Sequence, residues 1–249
     1  MIQALVALTV DHGLRAESRA EAEYVGELLR AQEIPHHILT PPPSNASNNL
    51  QENARERRYG ALAEWCRAHG VLHCLMAHHA GDQRETVALM RARGETADGD
   101  SGMSAVRLYD GVRFVRPLLF AEKAALMGYL SVRGITWVED PSNVSNAFAR
   151  VRMRQQLAQA PEDTAALGAL LREGQVARRM REHALAEAAA ALVEIHPLGF
   201  AKLDVAGWQV LPVPLHTQLM ADLLTTISGQ TRRPRGHETE RLCAHFSAG

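Results

Sequence analysis

Cysteine is scarce in this chain, and so are long apolar runs. Cys66, Cys74 and Cys243 are odd in number and form no CxxC pair. Such a set argues against a disulfide framework and a thiolate zinc site, and it suits a reducing cytosol. The longest apolar run, near residues 4–10, falls far short of the ~20 residues that a membrane helix needs. It also has no basic lead-in, so no signal peptide is predicted. We expect a cytoplasmic protein without a membrane partner.

Lysine is nearly missing, because 25 of the 27 basic residues are arginine. The formal net charge is −1, which excludes a general attraction for nucleic acid. GC-rich coding would explain the arginine bias. The functional alternative is that guanidinium groups make two-point contacts with phosphate. Local grouping therefore bears on function more than the total does.

Two polar clusters follow apolar runs. Ile2–Val10 predicts a strand buried on both faces, and it ends at Asp11-His12-Gly13. Val71–Met76 predicts another strand, which leads through Ala77–Thr86 into a helix. Because the carboxyl ends of parallel strands meet at one edge of a sheet, both clusters are expected to line one crevice. The second cluster also places acidic residues in the first helical turn, where they complement the helix dipole.

Strand and helix patterns alternate over residues 1–140. This alternation predicts an α/β fold with a Rossmann-like parallel sheet and helices on both faces. Residues 94–106 are rich in Gly, Ser and Asp and predict a mobile loop. Composition changes after about Asp140, and residues 161–194 are rich in Ala and Leu. We therefore predict an α/β domain over residues 1–145 and a mainly helical, RNA-contacting region over 146–249.

Five short motifs follow one another along the chain: Val10–Arg15, Ala54–Tyr59, Ala77–Thr86, Arg116–Leu119 and Trp137–Asn143. Each is a weak signal alone. Their order and spacing together resemble the tRNA(Ile)-lysidine synthases, which belong to the PP-loop ATP pyrophosphatases. The resemblance covers residues 4–157 well and the remainder loosely.

The sequence departs from that family in two places. The family opens with a strand and a Ser-Gly-Gly-x-Asp-Ser loop that cradles the ATP phosphates, and no such loop occurs in this sequence. The chain is therefore expected to be catalytically incompetent as it stands. A wrongly chosen start, a truncation and a degenerate relative compete as explanations. The first two predict an in-frame upstream stretch of about 20 to 30 codons, the length of a strand and its loop. Gly81 also replaces the first of two adjacent aspartates.

The resemblance implies a reaction in two steps. ATP first adenylates O2 of the wobble cytidine in the anticodon of tRNA(Ile), and pyrophosphate leaves. The ε-amine of free lysine then attacks C2 and displaces AMP. The expected cofactors are ATP and Mg²⁺, and the expected partners are tRNA(Ile) with a CAU anticodon and free lysine. A homodimer is left open.

The resemblance and the polar edge together give site residues in four roles. They are His79 and Asp82 for catalysis; Asp11, His12, Gly13 and Arg58 for ATP; Asp82, Glu85, Glu139 and Asp140 for lysine or Mg²⁺; and Arg55, Arg116, Arg150, Arg152 and Arg154 for tRNA.

Other interpretations stay open for several of these residues. His78-His79 suggests a metal site, but no HExxH motif is present and no further ligands are evident. Arg150, Arg152 and Arg154 would share one side of an extended segment, whereas only Arg150 and Arg154 would align on a helix. For the whole protein, the alternatives are a non-catalytic tRNA-binding remnant and a metal-dependent phosphohydrolase. Affinity for ATP separates the enzyme from the remnant.

Overall fold

The fold is taken from a computed structural model of the chain. It describes residues 5–11, 13, 17–42, 50–94, 99–137, 149–230, 233–234 and 236–247. These residues group into two compact units, one of residues 1–89 and 103–164 and the other of 90–102 and 165–249. The domain boundary near residue 145 stays a prediction. No helix in the described ranges is both long and apolar enough to cross a membrane.

The first unit opens with a strand, a helix and a parallel strand. β1 (Ala7–Val10) pairs with β2 (His36–Leu39), and α1 (Ser18–Arg30) connects them. α1 lies against one face, where a Cβ on Gly26 would meet the His36 ring at 2.8 Å. α2 (Leu50–Ala68) lies against the other, where the Trp65 and His37 rings are 5.3 Å apart. The expectation of a parallel sheet with helices on both faces is therefore confirmed.

A second sheet completes this unit. β3 (His73–Leu75) pairs in parallel with β5 (Val112–Val115), and β4 (Val106–Tyr109) pairs antiparallel with the other side of β5. Among the described strands, β1 and β3 are not hydrogen-bonded neighbours. α2 contacts strands of both sheets. The helix therefore joins the two sheets through side-chain packing.

The core of the first unit lies between α2 and these strands. Tyr59, Ala63 and Cys66 of α2 are buried against Cys74 and Phe114. The Tyr59 and Phe114 rings meet edge to face at 4.8 Å, a favoured geometry for aromatic pairs. Burial raises the pKa of both thiols, that of Cys74 to about 12, so both are protonated at neutral pH.

The segment over residues 94–106 is less open than its composition predicts. Its described part contains a 3₁₀ turn (Gly99–Ser101) in which Ser101 is buried, and it leads into β4. The Ser101 hydroxyl donates to the carbonyl of Gly174 at 2.9 Å. The prediction of a mobile loop is therefore wrong for residues 99–106, where backbone packing outweighs the turn-forming composition.

The remainder of the chain is mostly helical, as expected. Its buried core includes Leu185, Trp208, Leu219 and Cys243. The elements after β5 are α4 (Lys123–Val132), α5 (Ala149–Gln159), α6 (Pro161–Leu192), the antiparallel pair β6 (Val193–His196) and β7 (Phe200–Leu203), α7 (Val205–Gln209), α8 (Val213–Ser228) and α9 (Gly236–Ser247).

α6 runs unbroken through two glycines that serve different purposes. A Cβ on Gly174 would lie 2.7 Å from the Asp100 carbonyl oxygen, so only glycine lets this helix approach that backbone. A Cβ on Gly168 would meet only the end of the Arg172 side chain, at 3.7 Å. Gly174 is thus needed for packing, whereas Gly168 only weakens the helix.

We expect Gly174→Ala to destabilise the protein by about 1–3 kcal/mol, because the added methyl overpacks against an immobile backbone. Gly168→Ala is the matched control on the same helix, and it should stabilise by up to about 1 kcal/mol through helix propensity. Urea unfolding followed by circular dichroism measures both changes. Equal effects at the two positions would contradict the packing role of Gly174.

Candidate active site

The polar turn after β3 lies at the carboxyl edge of the second sheet. β3 ends at Leu75, and the Met76 amide donates to the Val115 carbonyl at 2.7 Å. α3 (Ala80–Ala92) begins five residues after the end of β3, and the Ala80 amide donates to the Ala121 carbonyl at 3.0 Å. The predicted transition from strand to helix at this edge of the sheet is therefore confirmed.

The first turn of α3 brings His79 and Asp82 together. The Asp82 Oδ2 atom accepts from the His79 amide at 2.9 Å and lies 3.7 Å from His79 Nε2. The Gly81 amide donates to His79 Nδ1 at 3.0 Å. Because Nδ1 accepts a hydrogen bond, the proton of the neutral ring is assigned to Nε2. The side chains of His79 and Asp82 are 20% and 19% exposed, so both are partly buried but remain accessible to solvent.

Gly81 lets the His79 ring lie over the start of the helix. A Cβ at Gly81 would stand 2.8 Å from Cε1 and 3.0 Å from Nδ1 of that ring. The aspartate of the family pattern would therefore require the imidazole to move. Gly81 and His79 form one local arrangement, in which the absent side chain leaves room for the ring.

Gln83 and Glu85, on the same helix, are both buried. Gln83 is structural, since its amide group donates to the Met103 carbonyl and accepts from the Met103 amide. Glu85 accepts from Arg154 twice, at 2.6 Å from Nε and 3.3 Å from Nη2. Glu85, which was predicted to bind lysine or Mg²⁺, thus forms an ion pair with Arg154, which was predicted to contact tRNA. The hydrogen bonds to Glu85 are the main cause that raises the pKa of Arg154.

Arg154 lies on α5, and the helical form of this segment settles one open point. The extended alternative, in which three arginines share a side, is wrong because Ala149–Gln159 is a helix. Arg152 is exposed on this helix. Contact of Arg150, Arg152 and Arg154 with tRNA stays a prediction.

The polar cluster after β1, which begins at Asp11, forms a tight turn. Asp11 is buried, and its Oδ1 accepts from the Gly13 amide at 2.9 Å and the Ser18 hydroxyl at 2.6 Å. Gly13 has φ +63°, a conformation that favours glycine. The residues therefore shape the entry into α1, and their role in ATP binding stays a prediction. His12, Glu139 and Asp140 lie outside the described residues.

Arg116, which directly follows β5, has a structural role. It is 4% exposed and donates to the Ser104 carbonyl at 2.6 Å and the Tyr59 hydroxyl at 2.9 Å. A guanidinium that is buried and held by these acceptors is poorly placed to reach RNA, which argues against the predicted contact of Arg116 with tRNA. Burial would raise the pKa of Tyr59, but the hydrogen bond from Arg116 and the charges of Arg116, Arg55 and Arg107 together lower it.

Further cations surround Tyr59. The guanidinium of Arg55 lies 5.8 Å from the Tyr59 ring centre, and that of Arg107, a residue that sequence reasoning missed, lies 4.7 Å away. Arg58 is exposed on α2, and its role in ATP binding stays a prediction. A second missed contact is the two-point bond between Arg84 and Glu122, with both distances 2.7 Å. Local sequence patterns could not have revealed either contact, because the partners of Arg107 and Arg84 lie far away along the chain.

Within the described part of the chain, no three His, Cys, Asp or Glu side chains are grouped as metal ligands. The His78-His79 metal site therefore gains no support. The chemistry that this edge offers is that of a carboxylate, an imidazole and the ion pair between Glu85 and Arg154.

Known proteins resemble this chain in sequence and in fold. The PP-loop domain family matches residues 1–161. The tRNA(Ile)-lysidine synthase of Methylobacterium nodulans is 35% identical over 241 residues, which cover 94% of this chain and 70% of that protein. This chain belongs to the tRNA(Ile)-lysidine synthase family. The lysidine synthase of Ruegeria pomeroyi is also 35% identical, over 93% of this chain. The chain spans 56% of that relative's length.

A solved structure has a fold similar to that of this chain. The U34-tRNA thiolase NcsA from Methanococcus maripaludis, a structure with a [4Fe-4S] cluster, superposes with a TM-score of 0.57. The match covers 72% of this chain and 63% of the thiolase, at 12% identity. At that identity the likeness shows a shared fold alone.

We expect Gly81→Ala to displace the His79 ring, because the new methyl would stand within 3 Å of it. Gly60→Ala on α2 is the control, since a Cβ there meets nothing within 4 Å. The imidazole ¹⁵N shifts of His79 should lose the signature of a hydrogen-bonded Nδ1 in the first variant and keep it in the second. Unchanged shifts in Gly81→Ala would contradict the packing of His79 on Gly81.

Proposed function

We propose that this protein acts in the ATP-dependent joining of lysine to C2 of the wobble cytidine of tRNA(Ile). The observation that carries the proposal is the turn from His79 to Asp82. It sets a carboxylate and an imidazole at the carboxyl edge of a parallel sheet, where α/β proteins bind their ligands. Membership of the lysidine synthase family supplies the reaction to which these groups are suited.

Asp82 is suited to the lysine step. The ε-ammonium of free lysine has a pKa of about 10.4 and must lose a proton before it can attack. A half-buried carboxylate attracts the ammonium and then helps to take its proton. His79 offers Nε2–H as a donor close to the same carboxylate, which suits it to orient the base or a phosphate oxygen. Both roles need groups that are held in place, which the first turn of α3 provides.

ATP serves the first step, in which O2 of the cytidine attacks the α-phosphate and pyrophosphate leaves. The turn at Asp11 and Gly13, which follows β1, is the part of this chain that we propose for ATP, together with Arg58. Charge on the departing pyrophosphate must be neutralised, and Mg²⁺ is the cation that we expect for it. Free lysine, Mg²⁺, a cytoplasmic location and a homodimer all stay predictions.

The tRNA must present an unstacked cytidine, which costs a few kcal/mol. We propose that arginines on the protein surface hold the anticodon loop while the base is out. With Arg116 buried, the candidates are Arg150, Arg152 and Arg154 on α5, and Arg55 on α2. A net charge of −1 makes such local groups the main source of phosphate affinity.

The decisive experiment measures labelled lysine entering tRNA(Ile) in the presence of ATP. Because no Ser-Gly-Gly-x-Asp-Ser loop occurs in the sequence, we would assay the chain both alone and fused behind a strand that carries such a loop. We expect ATP-dependent incorporation by the fused protein and far less by the chain alone. Asp82→Asn in the fused protein should reduce incorporation by about 10² or more, as loss of a general base does.

Circular dichroism of Asp82→Asn controls for folding. Full incorporation in that variant would reduce Asp82 to a helix-start residue. A fused protein that binds tRNA but neither binds ATP nor incorporates lysine would favour the non-catalytic remnant. Hydrolysis of phosphate esters that depends on Mn²⁺ or Zn²⁺, without any need for tRNA, would favour the phosphohydrolase.

A second prediction concerns the surface of α5. We expect a double Arg150→Ala, Arg152→Ala variant to bind tRNA more weakly and to flatten the salt dependence of binding by up to about two phosphate contacts. Arg19→Ala is the control, because it removes an arginine from a different helix, α1, whose residues are not proposed to contact RNA. Filter binding over a series of salt concentrations gives both slopes. An unchanged slope in the double variant would assign α5 to ordinary protein surface.

A further inference from the structure

The pair between Glu85 and Arg154 places a cation where the substrate's own cation would bind. Glu85 lies one helical turn after Asp82, so the two carboxylates face the same side of α3. The Glu85 side chain is 4% exposed and is held by two atoms of one guanidinium. A carboxylate already neutralised in this way has little net attraction left for a second cation.

Arg154 itself is accessible from outside. Its side chain is 42% exposed, although Nε and Nη2 point inward to Glu85. It also belongs to the same helix as Arg152, which is exposed. Asp82 lies near enough to favour the charged form of Arg154 as well. One guanidinium therefore connects the carboxylates of the candidate lysine site with the basic surface of α5.

We infer that Arg154 is a positioning residue that closes the lysine site until RNA binds: it occupies Glu85 in the free protein and moves to an RNA phosphate in the complex. The inference rests on the proposed function. In the exchange, the pair of Glu85 with guanidinium becomes a pair of Glu85 with the lysine ammonium, and the guanidinium gains a phosphate. Every charge keeps a partner, so no buried carboxylate is left uncompensated.

The exchange predicts that tRNA and lysine favour each other's binding. A phosphate draws Arg154 away and exposes Glu85, and lysine bound at Glu85 releases Arg154 for phosphate. Such coupling is reciprocal by thermodynamic necessity. It would keep free lysine from occupying the site before the tRNA is in place.

The test measures the affinity of the full chain for free lysine by calorimetry, without ATP. We expect the wild-type chain to bind lysine weakly alone and about tenfold more tightly with tRNA(Ile) present, within the usual range of coupling. Arg154→Gln should show the tighter binding without tRNA and gain little from adding it. Norleucine, which lacks the ε-amine, should bind no better to the variant than to the wild type.

Arg84→Gln is the matched control. Arg84 lies on the same helix and also makes a two-point bond to a glutamate, but that partner, Glu122, is 56% exposed. Its loss should raise lysine affinity far less than the loss of Arg154, because Arg84 is bonded to the open Glu122 and acts on Glu85 only through its charge. If Arg154→Gln fails to fold, Arg154→Lys keeps a cation with a single contact, and it should show a smaller gain.

Two results would overturn the inference. One is a folded Arg154→Gln protein whose lysine affinity is no higher than that of the wild type. The other is wild-type lysine affinity that does not respond to tRNA. Lysine incorporation by the fused protein combined with either result would leave the proposed function intact. Coupled binding without any incorporation would support the exchange and overturn the proposed reaction.

Discussion

Side-chain burial along one face of α2 is the constraint on which the first unit depends. β1–β2 and β3–β5–β4 share no described ladder of hydrogen bonds, yet α2 contacts strands of both. Tyr59, Ala63 and Cys66 are packed between them. Full burial of one large apolar side chain is worth about 1.5–3 kcal/mol, so a few such residues suffice to fix the two sheets. The carboxyl edges that carry the polar turns take their places from this packing.

The sequence predicted the strand ends and the first turn of α3 because both depend on local patterns. An apolar run that stops at a polar cluster marks a strand end, and acidic residues next to it mark a helix start. β4 was missed because Gly and Ser residues before it dominate the composition, whereas its pairing with β5 is a tertiary contact. Partners of charged side chains were equally hidden, since Glu85 and Arg154 are separated by 69 positions.

The arginines show why residue type alone does not reveal a role. Arg116 and Arg152 looked alike as candidates for RNA contact. Arg116 is buried and donates to the Tyr59 hydroxyl, whereas Arg152 is exposed on α5. Gly81 shows the converse, because a residue that breaks the family pattern makes room for a neighbouring imidazole. The residue at a motif position is therefore best interpreted together with its neighbours, because its size decides whether their side chains fit beside it.

The three cysteines lie in the cores of both units, with Cys66 and Cys74 in the first and Cys243 in the second. Burial raises the pKa of all three thiols. Alkylating reagents attack the thiolate, so they modify these residues only when the surrounding core opens. The rate of labelling at each cysteine then reports how often its own unit opens. The native cysteines thus allow the opening of each unit to be measured separately by alkylation, with no engineered label.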